Sequence, residues 1–210
     1  MKHFSHEEIS KLEHLYKINI INSCSGFKSA NLIGTKSGDG IENVAIFSSV
    51  THVGSDPPLL GVFMRPTTVT RNTYDNIKET RFYTLNHVHE SIISEAHHTS
   101  AKYDKQISEF DVTSLKAEYK LGIDVPFVAT APIQMLMEFI EEYHIKSNGT
   151  ILVIGKIKHL YIQNHLLETD GFVNLSKAQV VTINGLDGYA IPELKERNPY
   201  QRPKTNLNTH

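Results

Sequence analysis

The residues able to do the most chemistry lie in two short stretches, 65–73 and 48–52. In the first, Arg65 is followed by Thr67, Thr68, Thr70, Arg71, Asn72 and Thr73. This puts a guanidinium and several hydroxyls where a helix should begin, and the free N–H groups of a helix start attract an anion. A planar guanidinium beside them suits a phosphate. In the second stretch, Ser48, Ser49, Val50 and Thr51 end an apolar run, and their hydroxyls and main-chain groups make a polar strand end that can bond a polar ligand head. His52 follows directly and can protonate or hydrogen-bond a ligand atom near neutral pH. Together the two stretches point to a ligand with a polar head and a phosphate tail.

The elements that must hold them can be read from pattern. Residues 44–50 are expected as a strand, stopped by the turn Ser55-Asp56-Pro57-Pro58, because neither proline can donate to a β-ladder. A second strand, LLGVFM, runs from Leu59 to Arg65-Pro66. Residues 72–80 should form a short helix and 81–88 a strand. Upstream, Ser5 and Glu8 have capping-box spacing before a short amphipathic helix, residues 17–25 read as the start of a strand, and 30–35 as another. Gly38-Asp39-Gly40 turns that strand into the Asn43 strand, Asp-Gly between apolar runs being a hairpin signal. Residues 89–100 suit a helix and 101–125 an insertion of helix and loop. Residues 133–145 suit a helix by their glutamates, Glu138, Glu141 and Glu142, but are taken as a strand because the alternating run 150–163 needs a partner. Asn148-Gly149-Thr150 is the turn between them, and Gly155 marks a bulge or a point of close approach.

The motifs resemble those of the FMN-binding split barrels of the flavin reductase family. Asn43, Val44, Ala45, Phe47, Ser48, Ser55, Asp56, Pro57 and Pro58 match one block, and Thr73, Asn76, Ile77, Glu79, Thr80, Phe82 and Asn86 a second. The departures are Ile46 for a proline, Ser49 and Val50 for two aromatics, Thr51 for an asparagine, and Arg71-Asn72 for Lys-Asp. Gly185-Leu186-Asp187-Gly188-Tyr189, Pro192-Glu193-Leu194 and the stretch from Pro199 to Lys204 are similar to the ending of the flavoredoxin-like branch. The resemblance implies a mainly β fold with peripheral helices, a six-stranded, Greek-key-like split barrel. An N-terminal helix at 1–17 would pack on one domain at 18–204, with the insertion near 89–125 and a tail at 205–210. It also implies FMN held by Ser48, Ser49, Val50, Thr51, Arg65, Thr68, Arg71, Asn72 and Thr73, with His52 and Tyr189 near the flavin. NADH or NADPH would be the hydride donor and free flavin, oxygen or an electron-acceptor protein the recipient, in a homodimer with the flavin near the subunit seam.

Composition narrows the alternatives. At 210 residues and 40% hydrophobic, the chain can bury one full core. A net charge of −2, from 21 basic and 23 acidic residues, offers no field for nucleic acid. The single cysteine, Cys24, rules out an intramolecular disulfide and a multi-cysteine metal site. The N-terminal stretch is charged throughout and lacks a signal-peptide core, and no run of about 18 apolar residues exists to span a bilayer. A cytoplasmic, membrane-free protein is expected. The 12 histidines include His87-x-His89 on one strand face, but no His-Glu-x-x-His pattern, so no metal is assigned. Two other readings stay open on the residues alone: an FMN electron carrier or storage module with no nicotinamide site, and a split-barrel binder of haem or a vitamin B6 phosphate.

Overall fold

A computed structural model describes residues 1–203; the expected tail at 205–210 lies outside them. The chain order is α1 (His6–Lys11), α2 (His14–Cys24), β1 (Lys28–Ser29), β2 (Asn31–Lys36), β3 (Glu42–Phe47), β4 (Val50–Ser55), β5 (Pro58–Met64), α3 (Asn72–Thr80) and β6 (Phe82–His87). Then come α4 (Ile93–His98), α5 (Glu109–Val112), β7 (Ala117–Glu118), β8 (Phe127–Val128), β9 (Ile133–His144), β10 (Ile151–Ile162), β11 (Thr182–Asn184) and β12 (Gly188–Ala190). The protein is mainly β.

Seven strands form one antiparallel sheet in the order β3-β2-β6-β9-β10-β5-β4. Its two edge strands, β3 and β4, are consecutive in the chain and separated only by Ser48 and Ser49. A link of about 10 Å cannot span a flat seven-stranded sheet, whose width is about 30 Å, so the sheet must curl until its edges meet at that corner. Ser49 fixes the corner by donating its hydroxyl to Phe63 O (2.7 Å) and accepting from Phe63 N–H (3.3 Å). The expected strand 44–50 is therefore corrected to β3, ending at Phe47. The polar segment after it is a strand of its own, because its main chain finds β5 as a partner, and this raises the strand number from six to seven.

The inside of the curl is filled by Ile33, Leu85, Met135, Met137, Val62, Met64, Ile151 and Val153, each worth on the order of 2 kcal/mol relative to exposure. Tyr83 also points inward, and Gly155 makes room for it: a Cβ there would lie 2.1 Å from the tyrosine hydroxyl. The β9–β10 register slips between Ile154 and Gly155, so both readings of that glycine hold. Outside, α4, α5 and the surrounding insertion cover β2 and β3 through Ala30, Leu32, Val44, Ile92, Ala96 and Phe110. The free edge of β3 is covered by Glu109, whose buried carboxylate accepts from Val44 N–H at 3.0 Å. Burial pushes that carboxyl above the usual range, partly opposed by this bond.

Residues 17–25 do not begin a strand. They belong to α2, which ends where Gly26 takes a left-handed φ of +84°, the usual helix stop. The apolar residues Leu15, Tyr16, Ile18, Ile20 and Ile21 fall on all sides of this helix rather than on one stripe, which made an alternating pattern of a helical one. The capping box of α1 is present, Ser5 and Glu8 bonding reciprocally. Neither α1 nor α2 contains a buried residue.

Candidate functional site

The anion end is built where β5 delivers the chain to α3. Arg65 follows Met64 directly, the exposed turn 67–69 carries Thr67 and Thr68, and α3 opens at Asn72 with no side chain capping its N-terminus. Its first-turn amides, those of Asn72, Thr73 and Tyr74, therefore point at an open position with the positive end of the helix dipole behind them. Arg71 is half-buried at the cap and held loosely, its Nε 3.5 Å from Pro66 O. Thr68 is exposed beside it. The Thr73 hydroxyl is turned inward and accepts from Asn43 Nδ2 at 3.0 Å, so only the main-chain N–H of that residue faces outward. The helix is anchored from behind: Glu142 on β9 accepts from the Tyr74 hydroxyl (3.0 and 3.1 Å) and pairs with Lys78 at 3.0 Å. Burial and the Glu142 carboxylate push the Tyr74 hydroxyl up to about 12.

The second candidate feature is an open cavity of about 610 Å³ lined by 11 residues from three stretches of chain: Asn22 to Ser29, Ser48 to His52, and Phe63. This is the size range of small-molecule sites. Ser48, Ser49, Val50 and Thr51 line it, as does His52, with Nε2 3.2 Å from Ser55 Oγ. Phe27 and Phe63 supply exposed aromatic walls. Ser29 donates to Val50 O at 3.2 Å and accepts from the buried Asn31 at 2.9 Å, which ties the far wall to the floor. Phe63 of the cavity wall precedes Arg65 by two residues, and the chain from Phe63 to Asn72 runs from that wall to the start of α3.

Residues 25–178 match the family described as flavin reductase like domain. The chain belongs to that family. It is 44% identical to a protein of Shewanella frigidimarina NCIMB 400 with a split barrel domain, covering 96% of this chain and 100% of the other with a TM-score of 0.92. At lower identity it shares its fold with nitrilotriacetate monooxygenase component B of Bacillus cereus (19% identical, 94% and 98% covered, TM-score 0.82) and with flavoredoxin of Desulfovibrio vulgaris Miyazaki F (19%, 83% and 91%, TM-score 0.71).

Several residues that carry the flavin reductase like resemblance hold the scaffold instead of lining the cavity. Asn43 and Asn76 both donate to Thr35 Oγ1 (3.3 and 3.1 Å). Asn86 donates to Leu32 O and Thr84 Oγ1 and accepts from Val128 N–H at 3.0 Å, clamping the insertion onto β2 and β6. Tyr189 is not among the cavity-lining residues. It packs against the outer cluster, its hydroxyl 3.0 Å from His97 Nδ1 and pushed up to about 12 by burial. Among the described residues, no group of three or more His, Cys, Asp or Glu is placed to hold a metal, and no helix is long and apolar enough to cross a membrane. Sequence reasoning missed Asn22, Ser25, Phe27, Lys28 and Ser29; the glycine stop at Gly26 was the signal that the chain turns back there.

Proposed function

We propose that this protein is an FMN-binding oxidoreductase that takes hydride from NADH or NADPH and passes electrons to free flavin, oxygen or an acceptor protein. The observation that carries the reading is a pair of features joined by one stretch of chain: a hydroxyl-floored cavity walled by Phe63, and beyond it Arg65 and the uncapped start of α3 at Asn72. The donor set fits. A ring edge of mixed donors and acceptors meets the main chain and hydroxyls of Ser48 to Thr51, and a single phosphate meets Arg71, Thr68 and the amides of Asn72, Thr73 and Tyr74, with Arg65 as a second cation.

When bound, the flavin supplies hydride acceptance at its N5 and onward transfer of the electrons. The chain supplies position and environment. Arg71 and the α3 amides fix the tail, so that the ring is held in one register. The Ser49 hydroxyl spends its proton on Phe63 O, leaving its lone pairs to accept from the ring. Phe27 and Phe63 would give a bound ring apolar surface to lie against. The wide mouth of the cavity leaves room for a nicotinamide.

A homodimer belongs to the same reading. Phe63 pairs across β10 with Leu152, and Leu152 with Tyr143, so the three share the outer sheet face. Gly61 leaves a bare floor between Leu152, Val53 and Thr51. Phe63, Val53 and Tyr143 are between 42% and 52% exposed there, an apolar face continuous with the cavity. In light scattering, a dimeric wild type and a Leu152→Lys variant shifted toward monomer are expected; a monomeric wild type overturns the dimer.

One observation favours a second reading, an electron carrier with no nicotinamide site: Ser49 and Val50 stand where the resembling pattern has two aromatics, which removes stacking surface for the nicotinamide. Visible spectra of the FMN-loaded protein, taken anaerobically before and after NADH and then NADPH, separate the two. Bleaching by either nucleotide supports the reductase. Bound but unbleached flavin supports the carrier, and FMN bands identical to those of free FMN overturn both.

A further inference from the structure

Among the residues lining the cavity, Lys28 is the only lysine or arginine, and none of them is a carboxylate. Lys28 stands half-buried on β1 and returns to the end of α2. Its ammonium donates to Asn22 O at 2.9 Å and to Ser25 Oγ at 3.1 Å. Both partners are in the last turn or cap of the helix, where the carbonyl end of the dipole favours a cation. An ammonium has three N–H groups, so these two bonds fix Nζ in place and leave one N–H over. Lys28 takes part in no ion pair among the described residues. The cavity wall thus holds a positioned cation with an unspent donor and no carboxylate among the lining residues.

We infer that Lys28 gives the site its preference for the reduced form of the cofactor, by placing its free N–H and its charge at the pyrimidine edge of the flavin ring. The inference rests on the FMN reading above. The oxidised ring is neutral, whereas the two-electron-reduced ring loses a proton near neutral pH and carries negative charge at that edge. A cation held in a half-buried wall distinguishes the two by charge. A difference in affinity between redox states is, by the thermodynamic cycle, a shift in midpoint potential. Holding the reduced ring more tightly keeps the electrons on the protein until an acceptor arrives.

The test compares the unmodified protein with Lys28→Met and Lys28→Arg. Oxidised FMN is titrated by fluorescence, and the midpoint potential of bound FMN is measured against a reference dye. Lys28→Met should bind oxidised FMN within about twofold of wild type and reduced FMN about tenfold less tightly, which for a two-electron couple lowers the potential by about 30 mV. Lys28→Arg should restore most of the shift, and the gap should close at a pH low enough to keep the reduced ring neutral. A Lys28→Met potential equal to that of wild type overturns the inference and leaves FMN binding standing. Equal weakening of both redox states, the mark of a merely structural anchor for α2, also overturns it. Wild-type protein that binds no FMN overturns both readings.

Discussion

At the α3 end the candidate ligands follow one another in sequence as Arg71, Asn72 and Thr73, whereas at the cavity end they converge from residues 22–29, 48–52 and 63. On the proposed reading the first end would work by charge and by main-chain amides that any helix start provides. The second would work by shape, and its shape exists only because β3 and β4 meet at Ser48-Ser49 and because the chain doubles back at Gly26. An anion site can be carried by one local segment. A ring site needs the topology of the whole sheet.

If the division is real, variants should separate the two ends. Arg71→Ala removes the charge-assisted contact and should weaken FMN about 100-fold, the value of a strong hydrogen bond to a charged group. Riboflavin, which has no phosphate, should stay within twofold; equal weakening of both flavins in parallel titrations would break the comparison.

Acid should act on the ring end through its support. His87 pairs with Asn31 across β6 and β2, and Asn31 holds Ser29 of the cavity wall. Burial pushes the His87 imidazole down to about 4, and its Nδ1 has no partner. Between about pH 6.5 and 4 the unfolded chain binds this proton and the folded one does not, so the stability is complete above that window and is lost as pH falls through it. The loss reaches about 3 kcal/mol. Urea unfolding at stepped pH should show this slope in the wild type and a shallower one in His87→Gln; identical slopes would remove His87 from the account.

Phe63→Ala tests the wall itself and should be milder, about tenfold on FMN and riboflavin alike, since an aromatic contact is worth roughly 1 kcal/mol beyond area. A loss confined to FMN would mean that Phe63 serves the phosphate instead.

The same division explains what could be read without coordinates. The strand nature of Ile133–His144 was legible despite its glutamates, because the alternating run after it demanded a partner and the family resemblance puts a hairpin there. Those glutamates are spent outside the barrel, Glu138 on Lys158 and Glu142 on Tyr74 and Lys78. The start of α3 was legible from Arg71 and the threonines. The family pattern, by contrast, marked Asn43, Asn76 and Asn86 without revealing that they brace the sheet, since a motif records that a side chain matters and not what it touches. Lys28 and Asn22 were invisible as site residues. Asn22 lay in the stretch 17–25 taken for a strand start, and Lys28 lay between that stretch and the next expected strand, so nothing brought the two together.

The most direct measurement is a calorimetric titration of the purified wild-type protein with FMN and with riboflavin under the same conditions. The account predicts one site per chain for both, with FMN bound at least about tenfold more tightly, because only FMN reaches both ends. Equal affinities, or no binding of FMN at all, would contradict it.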